Sequence, residues 1–501
     1  MTEQLSSAGT GLPTVLAGDK FLHSRYNPAA EAEKYVKSLN LSEKIRFFIL
    51  IEPGLGYIIP VLKRLFPAAK AAVLHVSDFF VSVSGETAKD VPAWSPGSGI
   101  SPEEFLEREL PDAGIDVLKI VEWRPALAAY GTAYKKLLEA AVYFIRRADA
   151  NARTVRGFGR RWVKNFFRNL DILRVFFRIS PGSLPWIVTG AGPGLEESLP
   201  AIALMRREGA ALLASSSSVP ALASGGIMPD LAIAADGGGW ARFHLWETIR
   251  LTTGGPLFLA ASLTAAIPCQ YGDFPVLPLS DGSLWQEAVL EKLGIPRLVL
   301  PQRGTVTASA LDLALRCTKG EVFLAGMDLA NEDIKTHARP YALDRFRDEG
   351  ANRLDPQYSR AFVRAGQISA SCSHRVYAEW FGGRMAAYPG RIRSLGKNNP
   401  VFDALPREPA MRPGSQEMNT RRTERLSMET RVLSRPARQD EAVRVLTGLL
   451  SAAGPLQRKL LFELGDLLLP GSGEASAKEL IKIIGEIKKP DSRTMVGRAD
   501  D

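Results

Sequence analysis

The stretch Pro185-Trp186-Ile187-Val188-Thr189-Gly190-Ala191-Gly192-Pro193-Gly194-Leu195-Glu196-Glu197-Ser198-Leu199 constrains the fold more than any other. A short apolar run, β-branched in part, reads as a buried strand. It reaches a glycine-rich corner and continues with the spacing of a helix. Strand, tight corner and helix in that order open a Rossmann-like half. Gly190, Gly192 and Gly194 leave the corner without side chains, and Ala191 and Pro193 complete it. Main-chain amides there are open to a phosphate, and the helix adds its positive N-terminal end. The competing reading is an ordinary αβ loop with no ligand, since glycine corners are common.

The chain beyond this corner supplies further strand ends. Ala210 to Ser218 is a strand ending in hydroxyls, with Ser216 among them, and Leu231 to Ala235 is a strand ending at Asp236. Ligands of open α/β sheets gather beyond the carboxyl ends of strands, so Gly190–Gly194, Ser216 and Asp236 are expected to face one crevice. Asp236 suits a ribose or a metal; capping a turn is its plainer role. Gly304-Thr305-Val306 starts a capped helix, and Thr305 with the free amides behind it is a second anion-binding candidate. A last buried strand, Glu321 to Ala330, carries Asp328, and Thr336-His337-Ala338-Arg339-Pro340-Tyr341 lies just beyond.

At 501 residues and 46% hydrophobic content the chain holds two or three domains. Residues 1–20 read as a flexible tail and 21–125 as an N-terminal Rossmann-like domain. Residues 126–180 read as a helical connector and 181–400 as the central α/β domain. A basic linker, 401–440, and a helical C-terminal domain, 441–501, complete the expected order. Self-association through those last helices is one use for them. In the N-terminal domain, the corner at Gly54 and Gly56 resembles the first motif of S-adenosylmethionine-dependent methyltransferases, with Asp78 as the ribose acid or a helix cap. A domain that keeps the fold without the cofactor is the preferred reading.

No apolar run approaches the length of a membrane span, and the start has no basic-then-apolar secretory pattern. Three scattered cysteines suit a reducing compartment, so the expectation is a soluble cytoplasmic protein. The net charge of +9 is concentrated in Arg146–Arg174 and Arg407–Arg438. Neither stretch has the interleaved aromatics and glycines of an RNA module, so no specific nucleic acid is expected. Arg160 to Arg168 reads as an amphipathic helix whose basic face is solvated or meets a sugar nucleotide or partner.

Taken together, Gly190-Ala191-Gly192-Pro193-Gly194-Leu195-Glu196-Glu197, Pro229-Asp230 with Ala235-Asp236, Gly304-Thr305-Val306, Gly326-Met327-Asp328-Leu329-Ala330 and Thr336-His337-Ala338 resemble the motility accessory factor family. His23 to Pro28 and Gly54 to Tyr57 resemble its N-terminal domain, so the likeness spans about residues 20–400. Its central domain is shared with 6-hydroxymethylpterin diphosphokinases and, through the glycine corner, is similar to the GT-A-like α/β domain of bacterial sialyltransferases. Departures are Ala191, where sialyltransferases have asparagine, Gly194, where most relatives have serine, and Met327, where glutamine is common.

The resemblance implies a protein O-glycosyltransferase that moves a nonulosonic acid, of the pseudaminic or legionaminic type, from a CMP-sugar to flagellin serines and threonines. It places the donor phosphate on Gly190–Gly194, with Ser216, Asp236 and Thr305 around the nucleotide. His337 is the leading general base, because imidazole titrates near neutral pH, with His374 and His244 as rivals. Asp328 orients His337 or binds ligand or metal, and Arg339 and Tyr341 neutralise the departing phosphate. The need for a divalent metal is left open. The alternatives are a non-catalytic nucleotide-binding or scaffold protein and a pterin diphosphokinase.

Overall fold

The central strands are short and built from Ile, Val, Leu and Ala, the composition of strands covered on both faces. The computed structural model describes residues 2–83, 90–110, 117–251, 257–301, 304–329, 331–370, 373–395, 428–432, 438–470 and 475–487. The chain divides into two compact units, Met1–Thr154 and Val155–Asp501.

The first unit contains two sheets. β1 (Glu3–Ser7), β2 (Pro13–Ala17) and β3 (Lys20–Phe21) form an antiparallel three-stranded sheet. The expected flexible tail is therefore ordered: Gly11 and Gly18 take the positive φ that the turns require, and Val15 and Ala17 are buried. β4 (Phe47–Ile51), β5 (Lys70–Leu74), β6 (Ala93–Trp94) and β7 (Leu118–Glu122) form a parallel sheet in the order β6-β5-β4-β7.

The glycine corner after β4 is filled from within the unit. The Glu52 carboxylate accepts the Gly54 amide at 3.2 Å and the Val76 amide at 2.6 Å, and it meets His75 Nδ1 at 3.1 Å. His23 Nε2 accepts the Leu55 amide at 2.9 Å. A β-carbon on Gly54 would overlap that imidazole. Burial pushes the His23 pKa down to about 4, which keeps the ring a neutral acceptor. Asp78 accepts the Gly97 amide at 2.8 Å and so ties a turn. These contacts close the corner on which methyl-donor binding would depend.

The second unit is a ten-stranded sheet in the order β16-β15-β9-β10-β11-β12-β13-β8-β17, with β14 also on β13. Its strands are β8 (Val175–Ile179), β9 (Trp186–Thr189), β10 (Ala211–Ser215), β11 (Leu231–Ala234), β12 (Phe258–Ser262), β13 (Val276–Ser280), β14 (Leu298–Val299), β15 (Val322–Ala325), β16 (Ile392–Ser394) and β17 (Met428–Val432). All pairings are parallel except β17 on β8.

Three expected boundaries give way here. β8 comes from the expected connector and β17 from the expected linker, yet both belong to this sheet. The helices Arg438–Ser451, Pro455–Leu468 and Ala477–Ile487 do not form a domain of their own. Leu446, Leu450, Leu460, Leu464 and Ile484 share one core with Trp285 and Val289 of the helix Leu284–Lys292. Glu463 accepts the amides of Leu284 and Trp285, each at 3.1 Å, and so caps that helix. Each leucine buried there is worth about 1.5–3 kcal/mol, which is why amphipathic helices in this position attach to the sheet.

The 41-residue helix Thr132–Ile172 contains the division between the units. Near its C-terminus two buried asparagines hold loops of the second unit. Asn165 Nδ2 donates to the carbonyls of Gly237 (3.1 Å) and Thr264 (3.0 Å), and Asn169 Nδ2 to those of Leu263 (2.9 Å) and Ala265 (2.8 Å). These bonds fix the loops that leave β11 and β12.

Candidate active site

From β9 the chain winds outward through β10, β11, β12 and β13 on one side, while β15 and β16 lie on the other. The carboxyl ends of β9 and β15 are therefore the topological switch point, where open parallel sheets hold ligands. The glycine corner leaves β9 and Gly326-Met327-Asp328 leaves β15, so the two loops meet there. The Gly190 amide donates to the Ala325 carbonyl at 2.9 Å and the Gly192 amide to the Gly326 carbonyl at 2.8 Å. Gly326 has φ 62°, and a β-carbon on Gly190 or Gly326 would collide with the facing backbone.

Asp328 enters the corner itself. Its Oδ2 accepts the Gly194 amide at 3.1 Å, and a β-carbon at Gly192 or Gly194 would overlap its carboxylate. Three of the corner's amides are engaged within the chain, since Gly190, Gly192 and Gly194 each donate to an internal acceptor, and Pro193 has no N–H. Burial raises the Asp328 pKa, with the Gly194 amide opposing the shift. An ionised carboxylate in this corner would repel a phosphate placed beside it.

The same corner positions the next loop. Glu196, in the first turn of the helix Leu195–Arg207, accepts Lys335 Nζ and the Arg339 amide, both at 2.6 Å. The Ala338 amide donates to the Ala191 carbonyl at 2.9 Å. His337 is thereby held beside the switch point. Its Nδ1 meets Thr336 Oγ1 at 2.9 Å, and its ring stacks on Tyr341 with centroids 4.2 Å apart and planes at 22°. The Tyr341 hydroxyl meets His244 Nε2 at 3.3 Å. Burial first, then Arg347 and His244, holds His337 down to about 4. Burial likewise pushes Tyr341 up to about 12 and His244 down to about 4. At neutral pH the trio is uncharged.

On the far side of His337 is a pocket of about 230 Å³, lined by Ile334, Thr336, His337, Arg339, Asp344, Arg347, Gln357, Arg360, Ala361 and Arg364. Four arginines and one carboxylate, Asp344, line it, a preponderance of positive side chains that suits an anion. Asp344 orients two of them, lying 3.4 Å from Arg347 and 3.8 Å from Arg339. Arg360 is held by Asp355 at 2.7 Å. Arg360 and Arg364 are one turn apart on the helix Gln357–Ala370, which puts both on one face.

Asp328, His337, Arg339 and Tyr341 are brought together with the corner, and His244 joins them. Asp236 is exposed, and its Oδ1 accepts the Gly238 amide at 2.7 Å, a turn cap. Its charge still reaches His244 and Tyr341. Thr305 caps the helix Val306–Cys317 by accepting the Ala308 amide at 3.0 Å. Ser216 is buried at the end of β10, its amide donating to the Ile233 carbonyl at 2.9 Å. The His374 side chain lies outside the described residues. Among the described residues, no group of three His, Cys, Asp or Glu side chains is arranged to hold a metal. Sequence reasoning missed Glu196, Arg347, Arg360 and Arg364; the four-residue spacing of the last two was the available signal.

The fold and site together define a doubly wound α/β domain whose switch-point corner, occupied by Asp328, lies beside the loop that supplies His337 and Arg339 to a basic pocket. Residues 160–333 match the family described as 6-hydroxymethylpterin diphosphokinase MptE-like, which bears out the resemblance at the central domain. The chain is 29% identical over 278 residues to a protein of Treponema pallidum (strain Nichols) named only as uncharacterized; the match spans 55% of this chain and 59% of that one. The solved structure of MAf glycosyltransferase from Magnetospirillum magneticum AMB-1 aligns with 97% of this chain and 86% of its own, at 14% identity and a TM-score of 0.49. No helix among the described residues is long and apolar enough to cross a membrane.

Proposed function

We propose that this chain is a cytoplasmic protein O-glycosyltransferase, moving a nonulosonic acid of the pseudaminic or legionaminic type from CMP to serine or threonine of flagellin and so supporting flagellar assembly. The observation that carries the reading is the pocket in which Arg339, Arg347, Arg360 and Arg364 outnumber Asp344, with His337 in its wall. A CMP-linked acidic sugar presents a phosphate and a carboxylate, and such a pocket complements both.

In this reading the acceptor hydroxyl attacks the anomeric carbon, the bond to the phosphate oxygen breaks, and CMP leaves with the electron pair. His337 donates Nδ1–H to Thr336 and takes the hydroxyl proton on Nε2; burial keeps the ring neutral and Nε2 an acceptor, and makes it a weaker base than the near-neutral imidazole the sequence suggests. Arg339 and its neighbours stabilise the charge growing on the phosphate. Exposed Phe346, Tyr358 and Phe362, on the helices that supply Arg347, Arg360 and Arg364, favour a polypeptide acceptor.

The test is intact mass of flagellin after incubation with the protein and a CMP-nonulosonic acid. A mass increase by whole sugar units is expected, and an unmodified acceptor counts against the reading. The family description favours a second reading, pyrophosphoryl transfer to a pterin. Stabilisation by ATP with Mg²⁺ but not by CMP selects that reading, and silence with both selects a scaffold.

A further inference from the structure

An aromatic patch lies open on the second unit. Trp240, Phe243 and Trp246 follow one another at three-residue spacing into and along the helix Ala241–Leu251, and Phe346 comes from the helix Asp344–Glu349. The rings pack on each other. Centroids are 4.2 Å apart for Phe243 and Phe346, 5.1 Å for Phe243 and Trp246, 5.5 Å for Trp240 and Phe243, and 6.2 Å for Trp240 and Phe346. Yet Trp240 is 49% exposed, Trp246 40% and Phe346 39%. Leu245 and Thr248 supply the buried side of the first helix. Single exposed hydrophobic residues are ordinary, whereas contiguous rings left in water mark a surface that a partner covers.

The surroundings select the partner. Charges on the same two helices are paired: Arg250 Nε donates to Glu247 at 3.0 Å and Arg345 Nε to Glu349 at 2.9 Å. An anionic lipid surface or a nucleic acid is met by uncompensated cations. An apolar centre inside a polar margin of both signs is the anatomy of a protein–protein contact. Mutual packing fixes the rings beforehand, and Trp246 Nε1–H donates to Gln270 Oε1 at 3.1 Å, so little side-chain entropy is lost on binding. The patch also shares its helices with the candidate active site. Phe346 lies in sequence between the pocket residues Asp344 and Arg347, and the other helix carries His244, which meets Tyr341.

We propose that Trp240, Phe243, Trp246 and Phe346 are the docking surface for apolar side chains of the polypeptide acceptor, holding that chain while its hydroxyl group reaches the pocket. The partner's identity rests on the transfer reading. Contacts away from the reacting atoms stabilise ground state and transition state alike, so the patch governs the acceptor KM and leaves kcat unchanged.

The experiment measures binding of full-length flagellin to the full chain by interferometry, without donor, for the parent, Trp240→Ala, Trp240→Phe and Phe346→Ala. CMP affinity and melting temperature of each are measured alongside. Both alanine variants are expected to weaken flagellin binding roughly tenfold or more, with CMP affinity and melting temperature close to those of the parent. Trp240→Phe keeps a ring and should retain most of the binding. Equal flagellin affinity in the parent and both alanine variants overturns the patch, as does a parent that does not bind flagellin. A parent dimer, or attachment to lipid vesicles, that Trp240→Ala abolishes also overturns it, because a second copy or a lipid surface is then the occupant. Patch-dependent flagellin binding without sugar transfer keeps the docking surface and removes the reaction; transfer with unchanged binding in the alanine variants does the reverse.

Discussion

The Asp328 carboxylate accepts the Gly194 amide at 3.1 Å and stands where a β-carbon at Gly192 would be, across 134 residues of chain. The two loops at the switch point are therefore one corner, closed by a side chain. Gly192→Ala should cost about 1–3 kcal/mol through overpacking. Adding Asp328→Ser should return much of that loss. Denaturant midpoints of the two single variants and the double variant check this; strictly additive losses contradict the contact.

His337→Ala should lower transfer by roughly 10²–10⁴-fold, the usual contribution of a general base. Its affinity for CMP should stay close to that of the parent, because the arginines bind the phosphate. Single-turnover rates and calorimetry on the same preparation separate the two effects, and normal turnover removes His337 from the mechanism.

Acid should destabilise the fold before carboxylates titrate fully. His23, His244 and His337 are held down to about 4, whereas an unfolded chain protonates histidine near 6.5. Between these values the unfolded state binds more protons, so stability rises with pH. This contribution is complete above about 6.5 and is lost as pH falls towards 4. Asp328 and Asp344, raised by burial, act in the opposite sense at the acid end. Melting temperature should fall as pH is lowered through that window, and His337→Gln should make the fall shallower.

The leucines of the C-terminal helices are core residues of the second unit. Leu446→Ala should cost about 2–5 kcal/mol and lower the unfolding midpoint of the sheet with it. An unchanged midpoint for the sheet, followed for example by Trp285 fluorescence, would mean that these helices fold independently.

Much of the fold was legible because strand and corner are local. The run Trp186–Thr189 and its glycines announced β9 and the turn after it, and Thr305 announced its own helix cap. What closes each corner was hidden, because Asp328 and His23 come from remote chain and no periodicity marks them. Leucines at helical spacing show that a helix has a buried face but not which partner covers it, so Leu446 and Leu460 read as a separate domain. Polar residues obscured the strands of the first 20 positions. Arg360 and Arg364 share a helix face, but nothing local marks it as a pocket wall, because Thr336, His337 and Arg339 reach the same pocket from a different loop.

The central claim is that the donor phosphate rests on the pocket arginines and not on the amides at Gly190–Gly194. Calorimetric CMP affinity of the parent, Arg364→Gln and Asp328→Asn tests it directly. The pocket predicts at least a tenfold loss for Arg364→Gln, the worth of one charge-assisted bond, and little change for Asp328→Asn. Unchanged affinity in Arg364→Gln with tighter binding in Asp328→Asn would contradict it and return the phosphate to the glycine corner.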